Sequence, residues 1–483
     1  MNDKTTSGDH PTEKKLDPAL KRLWNPINNF INKSTSSGIV LLLSTLIALV
    51  WANLNAESYH NFWHIHAQLG IGNRVLSMSL VEWVNDGLMT IFFLSVGLEI
   101  KREMQVGDLS SFGQAILPVT AAAGGMLMPA LFYTLCAHGS PYAHGWGIPV
   151  ATDIAFALGI ITMLGNRVPS SLKIFLAALA IADDLGAVLI IAFFYSANLN
   201  FTMLFLALLV LLLLFMCNRM GVNYLGAYIF GGFILWIFVM KSGVHATLAG
   251  VMLAFVIPTW TVIDKKHLRQ TMKRVDAVLA ETSEQENQLL ADRKALDSIS
   301  LLGVQTFKAL PRLTVIEEYI ATSVNMVIMP IFALANSGVV VGDINLIDFL
   351  HSSLSHGIAL GLICGKPIGI TLGTLLTIKS GLASLPRRAT WSQIFGVGML
   401  GGIGFTMSLF VTGLSISKGA HEEVAKLAIL CSSTTAGILG FIWLYLHPQK
   451  LNKKGSSKTS IGEQKDQLPK EKAEQPPVQP TAT

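Results

Sequence analysis

Asp183 and Asp184 are the only charged residues between Ile174 and Asn218. Their flanks, Ala177–Ala182 and Leu185–Ile191, are apolar enough to lie in lipid, where a carboxylate at mid-depth costs about 2.5–3.5 kcal/mol. The plain alternative, two helix caps or loop acids, fits these uninterrupted flanks poorly. Neighbours on a helix point roughly 100° apart, so one carboxylate can face a cavity while the other faces a packed helix. Such a pair suits an ion or proton site. Desolvation can lift a buried carboxylate's pKa from about 4 towards neutrality, so protons and an alkali cation compete for the same oxygens. A hard cation there would be held by carboxylate, hydroxyl and backbone oxygens with water.

The other charges inside apolar stretches are Asp86, Glu99, Asp153 and Lys366, with His245 as a group that can switch its charge. Intramembrane ionisable groups are functional candidates whose partners need naming. Asp153 follows Pro149-Val-Ala-Thr152, where Pro149 lacks a backbone donor and Thr152 and Asp153 favour local side-chain bonds over helix. The helix is expected to unwind here, with Asp153 capping the half-helix that follows; this structural role is compatible with a place in the ion site. Lys366 lies on a face of glycines at 357, 361, 365, 369 and 373, a spacing for close helix packing. A lysine there cannot snorkel, so it needs a carboxylate, and Asp183 and Asp184 are the candidates. Glu99 and Glu103 bracket Lys101-Arg102 either as an ordinary solvated helix end or as a charged mouth that senses protons. His245 reads either as a structural interfacial histidine or as a sensor.

These groups need a scaffold. The chain has 483 residues, 51% hydrophobic and 13% charged, with mean hydropathy +0.53, the profile of a polytopic membrane protein. About twelve apolar stretches of spanning character are expected, near 37–54, 80–104, 113–136, 147–164, 170–195, 201–217, 223–240, 243–260, 314–337, 353–377, 391–415 and 424–446. Stretch four is interrupted at Pro149–Asp153. Stretch eleven is interrupted by Gly396, Gly398, Gly401, Gly402 and Gly404, which free the backbone to leave helical geometry. Two interrupted spans, each the middle of three, suggest an inverted repeat whose broken helices cross, with like dipole ends facing and offset by Asp153 and a nearby cation. The fold class is thus all-α integral membrane.

Around the spans the division is a polar arm at 1–35, spans one to eight within 36–260, a polar insertion at 261–312, spans nine to twelve within 313–446, and a disordered tail at 447–483. The polar, mixed-charge arm is not expected to act as a cleavable signal peptide. Within the insertion, Lys265–Leu302 reads as an amphipathic helix outside the bilayer. His66–Leu80 alternates around Gly72-Asn73 and is either a β-hairpin on the membrane surface or an irregular loop. Basic residues put both termini in the cytoplasm, with Arg74, Lys241, Lys418 and Lys426 outside.

Several classes drop out. The formal net charge of +5 comes from residues outside the apolar stretches and calls for no nucleic acid. The four cysteines fall in apolar surroundings and read as small hydrophobes. Neither a cofactor nor an enzyme activity is expected: intramembrane aspartyl proteases pair Tyr-Asp with Gly-x-Gly-Asp, and this chain has neither. A sodium-coupled solute symporter remains the alternative, since broken helices serve both trades.

Long segments then resemble one known family. Asn85-Asp86-Gly-Leu-Met, Val96–Glu103, Ala151–Gly159, Ala180–Gly186, Gly243–Gly250, Pro330–Asn336, Gly365–Gly369 and Gly401–Ser408 are similar, in order, to the NhaA-type bacterial sodium/proton antiporters. The resemblance runs from about residue 35 to 446. It implies electrogenic export of Na⁺ or Li⁺ against two protons, in support of pH and sodium homeostasis, from a multi-pass protein of the bacterial inner membrane. It implies Asp183 and Asp184 as exchange carboxylates, Lys366 as their cation, and Thr152 and Asp153 at the unwound helix; the second proton rides on the other aspartate or on Lys366. It maps Glu99, Glu103, His245 and Glu317 to a pH-response region, although Thr314-Val315 and Ala321-Thr322 stand where the family carries basic residues and a His-Pro pair. It also implies a homodimer, formed partly through a hairpin corresponding to His66–Leu80.

Overall fold

Backbone in lipid must satisfy its own hydrogen bonds, so long apolar stretches fold as helices. A computed structural model describes residues 34–71, 74–107, 109–196, 199–222, 224–259, 269–273, 275–276, 300, 303, 312–416 and 419–448. The expected arm and tail, and nearly all of the expected helix Lys265–Leu302, lie outside these residues. Among the described residues, eight helices are long and apolar enough to cross a membrane, or nine if one bent pair counts as a single span. They are α1 (Ser34–Leu54), α3 (Leu80–Gln105), α4 (Phe112–Ala137), α6 (Ser170–Phe194), α7 (Phe201–Arg219), α10 (Arg312–Ser323, continued through Val324–Ile328 and Met329–Asn336), α11 (Ser353–Lys379) and α14 (Ala420–Leu446), with α12 (Trp391–Gly401) and α13 (Phe405–Ser415) as the bent pair. The remaining three expected stretches hold shorter helices: α5 (Ile154–Met163), α8 (Leu225–Lys241) and α9 (Leu248–Val256). A short helix, α2 (Ala56–Trp63), precedes the hairpin.

The helices start where the sequence supplies caps. The Asn200 side chain accepts the backbone N–H groups of Thr202 and Met203 ahead of α7. Thr390 and Gln393 form a reciprocal box at α12, as Ser79 and Glu82 do at α3, each satisfying donors that the first turn leaves open. His66–Ile71 and Arg74–Ser79 form an antiparallel hairpin, β1 and β2, with His66 opposite Ser79 and Ile71 opposite Arg74. The hairpin reading therefore holds over the irregular loop. Trp83 Nε1 of α3 donates to the Ala67 carbonyl at 3.3 Å and ties the hairpin down.

Close packing follows the glycines. A Cβ at Gly369 or Gly373 of α11 would fall against the backbone oxygens of Gly124 or Thr120 of α4, and one at Gly365 against Pro129. The four-residue glycine repeat is thus the face on which α11 and α4 meet. Three segments, Trp83–Leu88, Val324–Ile328 and Gly361–Gly365, are wound as π-helix, a local over-wide turn frequent at functional positions.

Candidate functional site

The interruption in stretch four leaves only its second half α-helical. Ala143–Gly147 is a 3₁₀ turn, residues 148–153 are non-helical, and α5 begins after Asp153. Asp153 accepts the Phe156 N–H at 3.2 Å, the cap expected from its sequence. The matching break lies between α12 and α13, which are bent by 46° across Gly402–Gly404. Gly401 is the last residue of α12; a Cβ at Gly402 would run into the Leu362 carbonyl, and one at Gly404 into Ser408 Oγ.

The two breaks are bonded to each other. The Asp153 N–H donates to the Ile403 carbonyl at 2.6 Å, and Thr152 Oγ1 donates to the Gly401 carbonyl at 2.8 Å. Asp153 Oδ2 accepts both the Thr406 hydroxyl, at 2.5 Å, and the Thr406 N–H, at 3.3 Å. Ser408 Oγ donates to the Ile148 carbonyl at 2.7 Å. Backbone groups that irregular chain would leave orphaned in lipid are thereby paired across the two segments.

Asp183 and Asp184 project from α6 into this region, 0% and 2% exposed, and Lys366 is 0% exposed. The Lys366 ammonium contacts Asp183 Oδ2 at 2.5 Å and donates to Thr152 Oγ1 at 2.9 Å. Lys366 begins the second α-helical part of α11 directly after the π-turn, with Pro367 next. Gly125 on α4 leaves room for Ile370, one turn beyond Lys366 on α11. Of the two candidate carboxylates, Asp183 takes the lysine. Oδ1 of Asp183 and Oδ1 of Asp184 are buried with no hydrogen-bond partner among the described residues. Buried carboxylate oxygens without a donor are costly in a folded protein, which makes Asp183 and Asp184 the candidates for a functional role here. Asp153 and Glu99 also lie close enough to act on Asp184 electrostatically.

At the far end of α3, Arg102 binds Glu103 at 2.8 Å and Glu317 of α10 at 2.9 Å. Glu99 lies within the field of Arg102, Glu103 and Glu317 and itself acts on Asp184. His245 does not join them. It lines a polar cavity of about 400 Å³ with Asp86, Asn85, Glu82, His60 and Glu422, and its Nδ1 is buried without a partner among the described residues. The four pH-response candidates therefore divide three and one.

Four residues stand out as participants only in the folded chain. Thr406, which holds Asp153, stands just beyond the glycine break as Thr152 stands before Asp153, and that parallel is the one signal the sequence offers for it. Arg102 shows in the sequence only as one of a basic pair. Asn85 and Asn336 exchange amide hydrogen bonds at 3.3 and 2.8 Å beside Asp86, a pairing that nothing in local spacing announces.

A multi-pass helical membrane protein that bonds two interrupted segments to each other beside buried, unmatched carboxylates has the make-up of an ion-coupled secondary transporter. Residues 28–444 match the sequence model of the family Na+/H+ antiporter 1. The Na(+)/H(+) antiporter NhaA of Oleidesulfovibrio alaskensis is 44% identical over 88% of this chain and 94% of its own. The Na(+)/H(+) antiporter NhaA 2 of Helicobacter hepaticus is 41% identical over 91% and 99%, and the Na(+)/H(+) antiporter NhaA of Wolinella succinogenes 43% over 88% and 94%. The chain belongs to the Na+/H+ antiporter 1 family.

Proposed function

We propose that Asp183 and Asp184 are the exchange carboxylates of this sodium/proton antiporter, with Lys366, Thr152 and Asp153 as their framework. The observation that carries this is the pair of buried, partnerless Oδ1 atoms beside a single lysine. One ammonium cannot neutralise two carboxylates. With both ionised, the site carries a net negative charge in a low-dielectric setting, and either a proton or a sodium ion relieves it. Sodium binds to the deprotonated pair with the Thr152 hydroxyl and backbone oxygens of the two breaks, and protons displace it on the side where they are more concentrated. Exchange follows from this competition without a separate gate for each ion. Li⁺, equally hard and smaller, is a second substrate.

The twelve apolar stretches form an inverted repeat in which the segments around Thr152–Asp153 and Gly401–Gly404 cross, and the hydrogen bonds between them support this. Two protons enter per sodium expelled, the second on Asp183 or Lys366, so the membrane potential adds about 2.3 kcal/mol per 100 mV. Both termini and the 261–312 insertion lie in the cytoplasm of a bacterial inner-membrane protein, and the hairpin joins two copies into a dimer. Glu99, Glu103 and Glu317 with Arg102 form the inner pH-responsive mouth, whereas His245 belongs to the outer cavity.

The test is Asp184→Asn in everted membrane vesicles. Sodium-dependent proton movement disappears while the protein still inserts; normal exchange by that variant would remove Asp184 from the site.

A further inference from the structure

The inner end of α3 carries a second buried lysine that the exchange site does not use. Lys101 is 8% exposed, although its place in Glu99-Ile-Lys-Arg-Glu103 reads as a solvated helix end. Its ammonium donates to the carbonyl oxygens of Ala254 at 3.3 Å, Phe255 at 2.8 Å and Ile257 at 2.5 Å. These belong to the last turn of α9 and the residue after it. The other carbonyls of that turn are also taken: Leu253 accepts the Ile257 N–H at 3.1 Å, and Val256 accepts Asn218 Nδ2 of α7 at 2.6 Å. A helix end normally leaves such carbonyls to water or to a glycine turn, and a cation there also meets the negative end of the helix dipole.

α3 and α9 touch with little slack. A Cβ at Gly97 would meet Ala254, and one at Gly250 would meet the Thr90 carbonyl. Lys101 pins this contact from its inner end, so it fixes the rotation of α3 where Glu99, Arg102 and Glu103 leave the helix. Leu98 packs with Leu253, Ala254, Val256, Ile257, and with Leu313 and Ile316 of α10, which brings Glu317 to Arg102. We propose that Lys101 is a positioning residue for proton-responsive transport. It is a clamp on α9 that aims Glu99 towards Asp184 and holds Arg102 against Glu103 and Glu317. The inference rests on reading that cluster as the inner pH-responsive mouth.

The experiment measures sodium-induced proton movement in everted vesicles from pH 6 to 9, with protein content determined in the same membranes. It compares Lys101→Met, which keeps the apolar stem and removes the donors, with Lys101→Arg and with Glu317→Gln. The clamp predicts that Lys101→Met moves the pH midpoint by about half a unit or more, and that Lys101→Arg restores the native profile. If Lys101→Met does not reach the membrane, Lys101→Gln is judged by the same criterion. A native midpoint in the uncharged variant while Glu317→Gln shifts it overturns the clamp alone. Native midpoints in both overturn the reading of the cluster on which the clamp rests.

Discussion

Two groups of paired acids and bases sit in this protein under different conditions. Lys366 and Asp183 form an ion pair with side chains 0% and 1% exposed, whereas Arg102 binds Glu103 and Glu317 with the three side chains 37%, 12% and 15% exposed. In the first place water cannot compensate for a lost partner, so each charge is a condition for the other. In the second, water replaces much of what is removed. Deep burial therefore ties the Lys366–Asp183 pair closely to the fold, and on the proposed function to exchange as well. The Arg102 cluster, with its guanidinium partly open to water, is the one proposed to tune transport.

The largest effect is expected of Lys366→Ala. It leaves Asp183 buried beside Asp184 with no counter-charge, a loss of about 3–5 kcal/mol for a buried pair. Thermal unfolding in detergent should fall accordingly; an unchanged melting temperature and pH profile would take Lys366 out of the site. Next is Thr406→Ala, which removes the hydroxyl on Asp153 and costs about 1–3 kcal/mol as a buried acceptor loses its donor. Thr406→Ser should recover most of the loss in both melting temperature and transport rate, and equal losses in the two would mean that the methyl group, not the hydroxyl, matters.

Arg102→Ala should cost less stability than the loss of Lys366, because the guanidinium is partly open to water, yet raise the pH at which transport begins. Without the guanidinium, carboxyl groups at the mouth must ionise beside one another. A profile that stays in place, read in everted vesicles, would sever the cluster from regulation. The smallest effect is that of inert salt. Choline chloride raised from about 0.05 to 0.5 M screens the Arg102 cluster, which water reaches in part, but not the buried pair. It should move the midpoint slightly and leave the sodium affinity of the site alone.

Part of this arrangement is legible in the amino-acid sequence. Burying charge is so costly in lipid that Asp183, Asp184, Asp153 and Lys366 stand out against apolar flanks, and cap chemistry marks Asp153 at the start of α5. The glycine repeat on α11 is equally plain, because close helix approach tolerates little else. Long-range choices are not legible. Whether Lys366 meets Asp183 or Asp184 depends on the rotation of α6 against α11. Thr406 reaches Asp153 only because two breaks distant in sequence come together. Lys101 has the local pattern of a solvated end and is nonetheless buried; its partners are backbone carbonyls of α9, which carry no sequence signature. His245 likewise parts from Glu99, Glu103 and Glu317 through the placement of helices, not through spacing.

The central claim is that protons and sodium contend for the same oxygens, and it can be measured without any gradient. Purified protein in weakly buffered detergent solution is titrated with sodium at several pH values while released protons are counted. Competition predicts proton release on binding and an apparent sodium Kd that rises as pH falls, by about tenfold per pH unit for each proton displaced. It also predicts that both signals vanish in Asp184→Asn. A sodium affinity independent of pH, with no protons released by the native protein, would contradict it.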